Sequence, residues 1–143
     1  MKNEAAIEGV IVAGQPTDAE LSRLPERGIT TLVNLRPHHE LPEPQAPKVP
    51  SGVTYVEVPF DGTTIGREHV EGVRAALDAA GGPAAVHCAG GTRAAVMVAI
   101  IASERAGEGA SGALRRIADA GFDVAGTPYA AFVAGYFRSG GPV

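Results

Sequence analysis

The sequence predicts a single α/β domain spanning residues 1–143, with a mainly parallel central sheet flanked by helices. Three observations predict it. Short runs rich in β-branched residues alternate with helix-period segments, the order that builds a parallel sheet. A chain of 143 residues with 45% hydrophobic and 20% charged content suits one globular domain with a sizeable core. The chain also carries neither an internal repeat nor a linker-like stretch that would divide it.

Val10, Ile11, Val12 and Ala13 read as a short strand closed by Gly14-Gln15-Pro16. Thr17-Asp18-Ala19-Glu20 has the spacing of a capping box, in which Thr17 accepts from the Glu20 N–H and Glu20 reaches back. The helix it opens is expected to run to about Arg27, with Leu21 and Leu24 on one face, Pro25 late in it and Gly28 as its stop. Residues 29–35 are rich in β-branched side chains and read as the next strand. Pro42, Pro44, Pro47 and Pro50 exclude regular structure from residues 41–52. That loop is longer than usual, which points to a functional or mobile segment.

Residues 53–58 alternate and read as a strand, followed by a loop over 59–64. A helix over about 67–80 places Val70, Val73, Ala76 and Leu77 on one stripe, and Gly81-Gly82-Pro83 stops it. Ala84, Ala85, Val86 and His87 form a further strand. The helix after Arg93 is apolar all round, so it is expected in the middle of the domain. Ser111 to about Ala120 forms another helix with Gly121 as its cap. Thr127-Pro128 opens the last, with threonine at the N-cap and proline at the first helical position. Residues 139–143 are expected to fray.

The chemistry is expected at Cys88-Ala89-Gly90-Gly91-Thr92-Arg93, a glycine-rich loop between a strand and a helix. Such a loop turns backbone N–H groups inward at a helix N-terminus, and both features favour a bound anion. Ala89, Gly90, Gly91 and Thr92 are therefore the expected anion-binding backbone, and the two glycines permit conformations that a β-carbon would forbid. The same positive field favours a thiolate, which makes Cys88 a candidate nucleophile. A lone cysteine is often a small buried hydrophobe, but packing alone does not account for the glycines and the arginine that follow. Arg93 can grip two oxygens of a tetrahedral oxyanion with its planar fork. His87, the last strand residue, is expected to point away from the anion and to hold the loop by hydrogen bonds. On topology, the loops over 34–39, 60–64 and 88–93 converge at the C-terminal edge of the sheet, where ligands of such sheets bind.

Other classes are excluded in turn. A net charge of −4 argues against a general nucleic-acid binder. One cysteine forms no internal disulfide, and no signal-like segment is seen, so the cytoplasm is the expected compartment. The most apolar stretch, residues 94–102, is too short to span a bilayer, so no membrane partner is expected. His38-His39-Glu40 lacks the ligand spacing of a metal site. Gly90-Gly91 lacks the spacing and downstream acid of a dinucleotide fingerprint. The sequence calls for no metal or cofactor and selects no oligomeric state.

His-Cys, a glycine loop and an arginine at a helix start resemble the phosphate loop of cysteine-dependent protein phosphatases. Val12-Ala13-Gly14-Gln15-Pro16-Thr17, Val33-Asn34-Leu35-Arg36-Pro37, Cys88-Ala89-Gly90-Gly91-Thr92-Arg93-Ala94 and Ala120-Gly121-Phe122-Asp123 occur in this order. Together they resemble the phosphatase-like domain of the beta-lactamase hydrolase-like proteins, a family similar in fold to the dual-specificity phosphatases. That family shares the four-residue gap between cysteine and arginine, where phosphatases usually have five. Its loop commonly reads Cys-Arg-Ser-Gly-Thr-Arg-Ser, whereas this chain has Ala89, Gly90 and Ala94. The hydroxyl after the arginine, which helps the thiolate leave in phosphatases, is thus missing.

The resemblance implies a cysteine phosphatase-like fold and hydrolysis of a phosphorylated protein or small phosphoester through a phosphocysteine. It implies Asp61 as general acid, on a loop placed like that of the phosphatases, although Asp61-Gly62 is also a common turn pair. It also implies Arg36 as an anion-facing residue, against the plainer reading of a solvated loop arginine. A six-residue loop equally resembles that of rhodanese sulfurtransferases, where the cysteine carries a persulfide. Some members of the phosphatase-like family occur alongside sulfide-handling enzymes. A third reading is a module that binds an oxyanion without turnover.

Overall fold

The structure is a computed structural model that describes residues 1–139. Positions 140–143, where fraying was expected, lie outside the described residues. Among the described residues the chain forms five strands: β1 (Ala5–Ile7), β2 (Val10–Ala13), β3 (Thr31–Asn34), β4 (Thr54–Glu57) and β5 (Ala84–His87). Five helices accompany them: α1 (Asp18–Ser22), α2 (Arg67–Ala79), α3 (Thr92–Ala106), α4 (Gly109–Asp119) and α5 (Pro128–Ser139). The strands make one sheet in the order β1-β2-β5-β3-β4. Every pairing is parallel except the antiparallel β1–β2 edge. The expected α/β class and mainly parallel sheet are therefore what the chain adopts.

β5 lies at the centre of the sheet, and its four residues are buried. Its side chains alternate between faces. Ala85 joins Leu21, Leu24, Ile29 and Leu32 beneath α1, while Val86 and Cys88 join the larger core around α3. The sequence just beyond Val86 thus sends His87 to one face and Cys88 to the other. In α3, every side chain from Arg93 to Ser103 is buried, so the helix runs through the core and fixes the loop that precedes it.

Three elements differ from expectation. The first helix ends at Ser22, and Pro25–Arg27 forms a separate 3-10 turn closed by Gly28 at φ 74°. Proline has no N–H for an i→i−4 bond, which accounts for the break. Its predicted capping box is present, with Thr17 Oγ1 accepting from the Glu20 N–H at 3.1 Å and the Thr17 N–H donating to Glu20 Oε1 at 2.9 Å. β1 was not anticipated, since three residues are too few to show a period. The proline-rich loop, expected to hold no regular structure, contains a 3-10 turn at Ala46–Lys48, where Pro47 sits in the first turn and needs no N–H partner, and another, His38–Glu40, precedes the loop. Among the described residues, no helix is long and apolar enough to cross a membrane.

Candidate active site

The register of the sheet sets Ala13, Asn34 and His87 side by side at the C-terminal ends of three parallel strands. The next residues of each strand therefore meet at one edge, as expected for a ligand crevice. The Cys88 N–H donates to the Ala13 carbonyl at 3.1 Å, which locks the start of the loop to the end of β2. Cys88 is 1% exposed, and its Sγ receives the Gly91 N–H at 3.1 Å.

The loop carbonyls are tied outward one by one. Cys88 O faces His87 Nδ1 at 3.4 Å, Ala89 O accepts from the Gln15 N–H at 3.0 Å, and Gly90 O accepts from Asn3 Nδ2 at 2.9 Å. A trans peptide points its C=O and its N–H in opposite directions. Outward carbonyls at 88, 89 and 90 therefore turn the N–H groups of Ala89, Gly90 and Gly91 inward, and the Gly91 N–H does reach Sγ. The N–H groups of Ala89, Gly90, Thr92 and Arg93 have no acceptor among the described residues. With the positive end of α3 behind them, these donors have the arrangement an anion cradle requires.

Two glycines are required for this shape. A β-carbon on Gly14 would lie 2.7 Å from the Ala89 carbonyl oxygen, so only glycine lets the two backbones approach. Gly91 sits at φ +103°, and a β-carbon there would meet the Phe122 ring at 2.9 Å.

Arg93 is nearly buried, and its terminal nitrogens are held from behind. Nη1 donates to Glu40 Oε2 at 3.1 Å and to the Phe60 carbonyl at 2.9 Å, and Nη2 donates to Glu40 Oε1 at 3.0 Å. Its Nε–H has no partner among the described residues. Burial works against the Arg93 charge, and the Glu40 hydrogen bonds together with the nearby Cys88 and Glu40 groups more than restore it. Burial would likewise raise the Glu40 carboxyl, but hydrogen bonds from Arg93 and Arg36 hold it below the usual range.

Arg36 reaches the site through that same carboxylate. Its Nε donates to Glu40 Oε1 at 3.2 Å, Nη2 to the Glu40 carbonyl at 2.7 Å, and Nη1 to Gln15 Oε1 at 3.2 Å. In this structure its guanidinium therefore spans Glu40 and Gln15. His38 and His39 lie on the same 3-10 turn, and among the described residues no three metal-binding side chains cluster.

His87 is fully buried, and desolvation pushes its imidazole down to about 4, so it is neutral at pH 7. Asp61 is in the turn that follows Phe60, whose carbonyl touches Arg93. Asp61 Oδ1 accepts from the Thr63 N–H at 2.8 Å, Thr63 Oγ1 at 2.7 Å and the Thr64 N–H at 3.1 Å, and these bonds hold its carboxyl below the usual range. Thr92 opens α3 half-buried, and its hydroxyl has no partner among the described residues. Ala94 is fully buried.

Sequence reasoning missed Glu40, Gln45 and Tyr129. Glu40 stood only in a rejected metal triplet. Gln45 was one polar residue among prolines. Tyr129 is in the first turn of α5, and its hydroxyl would lie 3.2 Å from a β-carbon on Gly62, beside the Asp61 turn. Burial raises its phenol above the ordinary value.

A cysteine at the end of a central parallel strand, a glycine loop with inward N–H groups and a braced arginine are the arrangement expected of a phosphatase-like domain. Residues 5–106 match the family "Beta-lactamase hydrolase-like protein, phosphatase-like domain", and the chain belongs to it. Over 99 residues it is 32% identical to the beta-lactamase hydrolase-like protein of Xylella fastidiosa (strain Temecula1), covering 65% of this chain and 23% of that one. Over 122 residues it is 29% identical to the Agrobacterium fabrum protein of the same description, covering 81% and 27%. The chain thus spans about a quarter of the length of these curated relatives. Among solved structures, a DUF442 protein of Shewanella putrefaciens CN-32 superposes with a TM-score of 0.82 at 19% identity, covering 100% of this chain and 93% of that one. P. aeruginosa TpbA gives 0.75 at 20% identity, with 94% and 84% covered. The core catalytic domain of the S. cerevisiae PP-IP phosphatase SIW14, in complex with citrate, gives 0.73 at 18% identity, with 92% and 83% covered. These likenesses establish the fold.

Proposed function

We propose that the protein is a cysteine-dependent phosphatase acting on phosphoesters of the phosphotyrosine or dual-specificity type. The observation that carries this reading is the loop after Cys88, whose Gly91 N–H reaches Sγ while the N–H groups of Ala89, Gly90, Thr92 and Arg93 and the Nε–H of the braced Arg93 have no acceptor among the described residues. Cys88 Sγ attacks phosphorus, an S–P bond forms and the P–O bond to the leaving group breaks. The cradle and Arg93 stabilise the equatorial oxygens as charge spreads over them. Asp61 protonates the leaving oxygen. Water then attacks the phosphocysteine, releasing inorganic phosphate and the thiolate.

The depressed Asp61 carboxyl bears on the pH profile. A carboxyl held low is protonated only at acid pH, so hydrolysis by this route rises toward acid and falls as pH increases. Asp61→Asn is expected to remove that dependence and to lower kcat by about 10² or more, most for poor leaving groups. Support for the acid role comes from its place beside Phe60, whose carbonyl holds Arg93.

A second reading has its own observation. Ala94 is fully buried and offers no hydroxyl, and among the described residues Sγ receives only the Gly91 N–H. The hydroxyl that phosphatases place after the arginine is thus absent, and the six-residue loop from Cys88 to Arg93 also suits a cysteine that carries sulfur as a persulfide. In that reaction Cys88 takes the outer sulfur of thiosulfate and releases sulfite. Cyanide then removes the sulfur as thiocyanate and restores the thiolate.

Aryl phosphate hydrolysis and thiosulfate-to-cyanide transfer, run in parallel on wild type and Cys88→Ser, separate these readings. Phosphate release that vanishes in the variant is the expected result. Sulfur transfer without phosphate release overturns the phosphatase reading in favour of the second. Neither activity, with phosphate still bound by Cys88→Ser, leaves an oxyanion-binding module.

A further inference from the structure

Within the proline-rich loop, residues 41–52, Gln45 is the one buried residue, only 3% exposed. Its amide is enclosed by Gln15, Tyr55 and His87. An exposed loop rarely buries a glutamine unless the amide is fully used.

The direction of each bond in this network is forced from both ends. Arg36 can only donate, so the Gln15 atom it meets is the acceptor oxygen. Gln15 Nε2 is then the donor to Gln45 Oε1. Gln45 must therefore present its NH2 to His87 Nε2 at 2.9 Å. At the other end, Tyr55 spends its O–H on the Glu57 carboxylate at 3.1 Å, so it accepts from Gln45 Nε2 and from Asn34 Nδ2. Both ends agree on the orientation of Gln45. With His87 Nε2 accepting, a neutral imidazole carries its proton on Nδ1, which faces the Cys88 carbonyl.

We propose that Gln45 is a positioning residue for the anion cradle: it fixes the proton of His87 on Nδ1, and the Cys88 carbonyl held there aims the Ala89 N–H at the bound oxyanion. The last step follows from the planar trans peptide between Cys88 and Ala89, whose C=O and N–H point opposite ways. The same device operates one step on, where Asn3 holds the Gly90 carbonyl outward and the Gly91 N–H reaches Sγ. The proposal rests on the loop being an oxyanion cradle and holds for phosphate and sulfur chemistry alike.

The test is heteronuclear NMR of the His87 ring nitrogens together with titration of inorganic phosphate, followed at the Ala89 amide. In the wild type the proton is expected on Nδ1, and phosphate is expected to shift Ala89. Gln45→Leu removes the donor, so both tautomers are expected, with phosphate affinity reduced about tenfold. Should that variant fail to fold, Gln45→Glu serves, because a carboxylate can only accept and draws a proton onto Nε2. A wild-type proton on Nε2 overturns the proposal, and so does a variant that keeps Nδ1–H and an unchanged Ala89 response. A wild type with no phosphate response but Nδ1–H sinks the cradle reading, and with it this proposal, while leaving the tautomer assignment standing. A wild type that binds phosphate with the proton on Nε2 sinks this proposal alone.

Discussion

At the scale of single residues, Arg93 is held rather than merely present. Glu40 takes both terminal nitrogens and Nε has no partner among the described residues, so under the proposed function an oxyanion would meet a guanidinium already in place. Glu40→Gln keeps the size of the side chain but loses charge-assisted acceptance from Arg93 and Arg36. Bonds of this kind are worth about 1.5–3 kcal/mol, so kcat for the Cys88-dependent reaction is expected to fall roughly 10–100-fold with the fold retained, as steady-state kinetics and circular dichroism would show. Arg93→Lys substitutes a point charge for the fork, and a drop of about 10²–10³ in kcat is expected. Cys88 and Arg93 were legible in the sequence because their spacing and the glycines between them lie in one continuous segment. Glu40, Gln45 and Tyr129 were not, because each arrives on a separate loop or helix start whose course no periodicity specifies.

At the scale of elements, the loop is shaped by what presses on it. The residue after β2, Gly14, bridges to Gly90, and the stretch after α4 supplies Phe122 against Gly91. Gly14→Ala sets a methyl carbon against the Ala89 carbonyl, which is rigid backbone, so the loop must shift. Weakened phosphate binding with near-native stability is expected, measured by calorimetric titration and thermal melting. Gly91→Ala adds a left-handed penalty of about 1–2 kcal/mol to a clash with the Phe122 ring, so a lower melting temperature as well as lost binding is expected. The long elements α2 and α3 and the strand β5 were readable from hydrophobic pattern, since burial on one side or all round leaves a mark in composition. β1 was unreadable at three residues, and α1 came out shorter because a proline outweighed a good capping box.

At the scale of the whole molecule, the sheet stacks a buried neutral imidazole directly behind the reactive loop. His87 in the unfolded chain takes a proton near pH 6.5, whereas in the folded protein it does so only at about 4. Between those values the unfolded state binds more protons, so stability rises with pH across that window and is fully present above it. The stability lost on going from pH 6.5 to 4 through this group is about 3 kcal/mol. Chemical denaturation across this range should show the fall, and His87→Gln should flatten it. The α/β class and the sheet edge carrying the site were both legible in the sequence. What was not legible is the polar network that ties Arg36, Gln15, Gln45 and His87 together, because hydrogen-bond partners distant in sequence leave no local signature.

The central claim, that Cys88 is the covalent nucleophile of phosphoryl transfer, is tested most directly by intact-mass spectrometry of enzyme quenched at acid pH during turnover of an aryl phosphate. One phosphoryl group on Cys88, absent from Cys88→Ser, is the expected result. Phosphate release by Cys88→Ser at the wild-type rate, with no adduct on either protein, would contradict it.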